Sequence, residues 1–147
     1  MNKIFTTMIL LALCSSALAA NDISSQEAQV LISKFYSTYV LQDEGSTSFL
    51  DNSNASNWGT PNFLEKLKAD YEFECETDDC YAAYALRTSA QDGNGSSGVI
   101  SITPRPDGWY RVNYRDMGWK GVTDVKVVSV NGMPKLDDYK FISSNVK

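Results

Sequence analysis

The hydrophobic period of this chain changes once, from helical to extended, and that change limits its fold class more than any other feature. Before residue 75, Ala28, Leu31, Ile32, Phe35, Tyr36 and Tyr39 recur at three- and four-residue steps, as one face of a helix requires. Ser24-Ser25-Gln26-Glu27 precedes this stripe, and Glu27 three residues after Ser24 predicts a capping box. The helix is expected to fade near Gln42. Thr60-Pro61 opens a second helix, with Pro61 in the first turn, where its missing N–H costs nothing. Phe63, Leu64, Leu67 and Tyr71 would form its buried face, and Lys68 and Glu72 could pair on its outer face. Residues 43–59, rich in Ser, Asn, Asp and Gly, read as a loop held by Phe49, Leu50 and Trp58. The segment from Tyr81 to Ala90 fits a short helix or a strand equally well.

From Val99 onward the spacing is two. Val99, Ile100 and Ile102 predict a short strand, and Pro104-Arg105-Pro106-Asp107-Gly108 a turn. In Trp109–Arg115, Tyr110, Val112 and Tyr114 alternate with Arg111 and Asn113. Asp116-Met117-Gly118 makes a turn, Trp119–Val130 a long strand, and Asn131-Gly132 a tight hairpin into a last strand over 135–142. Helices followed by strands predict an α+β domain, with N-terminal helices packed on a curved antiparallel sheet of about four strands. Arg111, Asn113 and Lys126 belong to the sheet face away from the helices.

The first twenty residues predict export. Lys3, the apolar run Ile4–Leu13 and the small-residue ending Ser15-Ser16-Ala17-Leu18-Ala19-Ala20 have the three-part layout of a secretory signal peptide. The run is shorter than the roughly 20 apolar residues of a membrane span. Cleavage is expected after Ala19 or Ala20, and after Ala20 it would leave residues 21–147 as one α+β domain, periplasmic or secreted. Cys14 would carry a lipid in a lipoprotein signal, but Leu13 occupies the place of the small residue that processing needs, so ordinary cleavage is expected. No later stretch is long and apolar enough to predict stable membrane insertion.

The formal net charge is −5, and loss of Lys3 would lower it by one more unit. That balance disfavours nucleic acid and anionic lipid, and suits a basic partner or simply solubility. The absence of histidine excludes Ser-His-Asp and Cys-His nucleophile systems and His-based zinc sites. No cofactor or metal is expected, and no EF-hand ligand pattern occurs. After cleavage two cysteines remain, Cys75 and Cys80, which in an exported chain read as a structural disulfide. A zinc site would lack two ligands, and the spacing is not that of a C-x-x-C redox pair. Around them lie Glu72, Glu74, Glu76, Asp78 and Asp79, either a solvated connector or a docking surface for a cationic partner.

Several segments together resemble the nuclear transport factor 2-like, or cystatin-like, fold. They are Phe35-Tyr36-Ser37-Thr38-Tyr39, Phe63-Leu64-Glu65-Lys66-Leu67, Ala90-Gln91-Asp92, and Val130-Asn131-Gly132 with Leu136-Asp137-Asp138. Over most of residues 24–142 the chain is similar to an uncharacterised family of small exported bacterial proteins with that fold. The resemblance implies a sheet bent into a cone with a pocket beneath the helices. Some such proteins are enzymes using Asp and Tyr there and many only bind, so fold alone does not set function. No catalytic position carries over.

Three functions follow as expectations. The first is a non-catalytic binding protein, in its concrete form an immunity protein that neutralises a basic, cell-wall-targeting toxin, with the acidic stretch as docking element. The second is a ligand binder or enzyme using Tyr36, Tyr39, Tyr110, Tyr114 and Asp124 in the pocket. The third is an accessory subunit of an envelope assembly, with Trp58, Trp109 and Trp119 as contact residues.

Overall fold

Helix α1 (Ser25–Phe35) begins at the expected capping box. The Glu27 amide donates to Ser24 Oγ at 3.2 Å, and the Ser24 amide donates back to Glu27 Oε2 at 3.0 Å. The computed structural model describes residues 23–41, 47–50, 53–74, 86–87 and 93–145, and of residues 47, 48, 71–74, 144 and 145 it describes the backbone alone. Ala28, Ile32, Phe35 and Tyr36 of the predicted stripe are buried, while Leu31 and Tyr39 are half-buried. After Phe35 the helix widens into a π turn, Tyr36–Val40, closed by the Leu41 amide on Tyr36 O at 2.9 Å.

The stretch expected to be a loop holds two single helical turns, α2 (Thr47–Leu50) and α3 (Ala55–Trp58). Its apolar anchors do their expected work, with Phe49 buried and Leu50 and Trp58 packed against the core. Helix α4 (Pro61–Glu74) starts at the predicted proline and buries Phe63 and Leu67, with Leu64 half-buried. The Tyr71 side chain lies outside the described residues.

The sheet is an antiparallel meander of β1 (Gly98–Pro104), β2 (Trp109–Asp116), β3 (Trp119–Val130) and β4 (Met133–Asn145), in that spatial order. The architecture is α+β, a helical layer on one face of an open four-stranded antiparallel sheet. Pairing shifts register once between β1 and β2 and twice between β3 and β4, and such bulges bend strands. Tyr110, Val112, Tyr114, Thr123, Val125, Val127, Leu136 and Tyr139 are buried. Arg111, Asn113 and Lys126 alternate with them on the other face, as expected.

Asn131 (φ 53°) and Gly132 (φ 77°) take the left-handed conformations of a tight hairpin. Met117 (φ 50°) and Gly118 (φ 91°) do the same between β2 and β3, although methionine has no preference for that region. Residues 95–97 hold this second turn. Gly95 N donates to Met117 O (3.1 Å), Gly118 N to Ser96 O (3.2 Å), and Met117 N to Ser97 Oγ (2.8 Å).

Polar contacts run along α4 and fasten it to β4. Thr60 donates through its amide to Leu136 O (2.8 Å) and through Oγ1 to Asp137 Oδ1 (2.9 Å). Asn62 Nδ2 donates to Asp137 O (2.8 Å), and Lys66 Nζ to Asp138 Oδ1 (2.6 Å) and Tyr139 O (2.7 Å). The Tyr139 hydroxyl donates to Asp70. Among the described residues, no helix is long and apolar enough to cross a membrane.

Candidate functional site

Two of the tyrosines named from sequence meet under the helices. The rings of Tyr36 and Tyr114 pack with centroids 5.4 Å apart, and both residues are fully buried. Gly121 on β3 makes room, because a Cβ there would lie 2.4 Å from the Tyr114 ring. The Tyr114 hydroxyl pairs with Thr123 Oγ1 at 3.3 Å, and the Tyr36 hydroxyl has no hydrogen-bond partner among the described residues. Burial holds the Tyr36 phenol well above its ordinary 10.0, with a contribution from Tyr114; nearby Thr123 opposes this weakly, outside hydrogen-bonding geometry. Burial likewise raises Tyr114 to about 12, and burial with the Asp70 carboxylate raises Tyr139.

These phenols bind their protons more tightly folded than unfolded. The stability they contribute is therefore complete below 10.0 and is lost as pH climbs from there through the folded values. A pH titration should show part of the tyrosinate absorbance emerging only together with loss of near-UV circular dichroism. Complete tyrosinate formation in a still-folded protein would contradict the burial of this cluster.

The other named residues are dispersed. Tyr110 lies on the same sheet face, two and four residues before Val112 and Tyr114. Tyr39 joins a separate aromatic group, with Phe49 at 4.8 Å and Trp58 at 5.4 Å between ring centroids. Asp124 is on the opposite sheet face, clamped by Arg111 Nε and Nη2 at 2.8 and 2.9 Å. That hydrogen-bonded guanidinium holds the Asp124 carboxyl below its ordinary value. The grouping of Asp124 with the tyrosines is thereby corrected, because alternate residues of β3 point to opposite faces.

Two carboxylates not singled out from sequence do approach the buried face. Asp116, at the end of β2, has 0% side-chain exposure and accepts from Arg87 Nε at 2.7 Å and Nη2 at 2.8 Å. Asp70 accepts from the Tyr139 hydroxyl. Neither pairing has a sequence signal, since 29 and 69 residues separate the partners. Of the tryptophans, Trp109 and Trp119 are half-buried, and Lys140 Nζ sits 4.4 Å from the centroid of the Trp109 ring.

Cys75, Cys80, Glu76, Asp78 and Asp79, like residues 1–20, lie outside the described residues. Glu72 and Glu74 are backbone positions in the last turn of α4, with side chains outside the description. Among the described residues, no group of three or more Cys, Asp or Glu is placed to hold a metal ion.

An open groove of about 600 Å³ lies elsewhere, along the outer side of α1. Glu27, Val30, Leu31 and Lys34 form one wall, and Asn57, Trp58 and Pro134 face them. The floor is apolar and the two ends are oppositely charged, which suits an apolar protein segment better than a reacting small molecule.

No protein-family model matches the chain, and no curated protein matches it. A crystal structure of a protein of unknown function from Bacteroides thetaiotaomicron VPI-5482 is similar to it, at 25% sequence identity and a TM-score of 0.52, over 78% of this chain and 89% of that one. The chain shares its arrangement of helices on an antiparallel sheet with that bacterial protein.

Proposed function

We propose that this chain is an exported, non-catalytic binding protein, with the nuclear transport factor 2-like ancestry its sequence resembles. In this reading it acts in the periplasm as an immunity protein that neutralises a basic toxin directed at the cell wall. The observation that carries the reading is the charge at the end of α4. A helix carboxyl end is the negative pole of its dipole and favours cations, yet the last turn of α4 has no basic residue and holds Glu72 and Glu74. Glu76, Asp78 and Asp79 continue the negative run. Local helix stability does not account for this placement; attraction to a cationic partner does. The contacts of Thr60, Asn62, Lys66 and Asp70 with β4 fix α4 along its length, so the acidic stretch departs from a rigid support.

Capture from envelope extracts with the chain as bait should return a basic protein. Glu74→Lys with Asp78→Lys and Asp79→Lys should lose it, and coexpression of the unaltered chain should protect cells from that protein. Recovery of no protein, or of one indifferent to charge reversal, overturns the reading.

A ligand-binding reading has one observation in its favour, the buried Tyr36 hydroxyl, which has no hydrogen-bond partner among the described residues. Tyr36→Phe distinguishes the two. Without a ligand to serve, removing an unsatisfied buried hydroxyl should leave stability unchanged or raise it by about 1 kcal/mol in urea unfolding. A stability loss, with a co-purifying small molecule lost alongside, would instead favour the pocket.

A further inference from the structure

We propose that the chain self-associates through α1, two copies packing antiparallel about a two-fold axis that passes between Val30 and Leu31. Val30 is 56% exposed in the middle of an ordered helix, and it borders the groove over Leu31, Trp58 and Pro134. Glu27, Val30, Leu31 and Lys34 follow i, i+3, i+4, i+7 spacing and share one face of α1.

That face complements itself. In an antiparallel pair centred between Val30 and Leu31, Glu27 of each copy stands opposite Lys34 of the other, and the Val30 of each enters the groove of the other. A two-fold makes this charge pair twice, which is the signature of an isologous contact. A foreign segment would need its own matching charges, whereas a second copy supplies them at the required spacing. Both capping hydrogen bonds to Glu27 fall on Oε2, so the capping role engages one carboxylate oxygen. The net charge of −5 repels copies at long range, so attraction has to come from this local pattern. One helix face with Trp58 and Pro134 is a small interface, below about 1,200 Å² in total, so a concentration-dependent dimer is expected rather than a permanent one. This contact is independent of the acidic end of α4, and either proposal can fail without the other.

Sedimentation velocity over a concentration series, on the chain from residue 21 to 147, tests it. The unaltered chain should show reversible dimerisation. Lys34→Glu alone, or Glu27→Lys alone, opposes like charges across the axis and should weaken association about 10-fold or more. An equimolar mixture of these two variants should recover it, because a heterodimer regains both opposite-charge pairs. Val30→Asp should abolish it, with far-UV circular dichroism showing that each variant remains folded. A chain monomeric at every concentration, a dimer indifferent to Val30→Asp, or a mixture that fails to recover association overturns the proposal.

Discussion

Truncating Arg87 to alanine is expected to lower the unfolding free energy by about 3–5 kcal/mol. The guanidinium grips Asp116 with two hydrogen bonds of 2.7 and 2.8 Å, at side-chain exposures of 13% for Arg87 and 0% for Asp116. Removing the cation takes two hydrogen bonds from a fully buried carboxylate, which keeps Ser97 Oγ at 3.5 Å among its partners. Desolvation of that charge then outweighs what its remaining polar contacts return. For a domain of this size the loss is a large share of a total of roughly 5–15 kcal/mol. Asp116→Ala should cost less than Arg87→Ala, since the guanidinium it affects is 13% exposed and the carboxylate 0%. Replacing both, as Arg87→Met with Asp116→Leu, should recover much of the loss, because a buried ion pair seldom outperforms apolar packing. Urea unfolding of the three variants decides it. A loss below about 1 kcal/mol for Arg87→Ala would mean that the pair behaves as an exposed one.

Phe35→Ala is expected to cost about 3–5 kcal/mol as well, through a different mechanism. The Phe35 ring is buried within 6.3 Å, centroid to centroid, of the rings of Tyr36, Tyr39, Phe49, Trp58 and Phe63. Those residues belong to the π turn that follows α1 and to α2, α3 and α4, so one side chain of α1 joins these helical elements among the described residues. Its removal forfeits transfer energy and leaves a cavity that several short helices border at once. Phe35→Leu keeps much of the apolar volume and should lose distinctly less. Thermal unfolding measures both, and Trp58 fluorescence should shift in Phe35→Ala as its neighbour disappears. If the alanine variant loses no more than the leucine variant, the layer collapses freely around the vacancy and the ring is not its organising contact.

The order of elements was legible because it depends on local periodicity. The box of Ser24 and Glu27, the start at Pro61, the alternation of Tyr110, Val112 and Tyr114, and the hairpin at Asn131-Gly132 all stand as read. Residues 43–59 were harder, because a single helical turn is too short to display a period, and composition there speaks only of polarity. Met117 was hidden for a related reason. Its left-handed backbone is imposed by hydrogen bonds from residues 95–97, which intrinsic preference does not register.

The candidate site was less legible than the fold. Aromatic and acidic residues could be picked out, but which of them meet depends on strand register. A one-residue step along β3 separates Thr123, under the helices, from Asp124, on the far face beside Arg111. Spacing and charge along the chain were enough to settle helices before strands, the face that β2 buries, and an acidic run that begins in the last turn of α4. Pairings across 29 to 77 residues, such as Arg87 with Asp116, Tyr139 with Asp70 and Thr60 with Asp137, leave no trace in local pattern. They arise when burial removes water from a charge and obliges it to find a partner, and that partner is chosen by the packing of the whole domain.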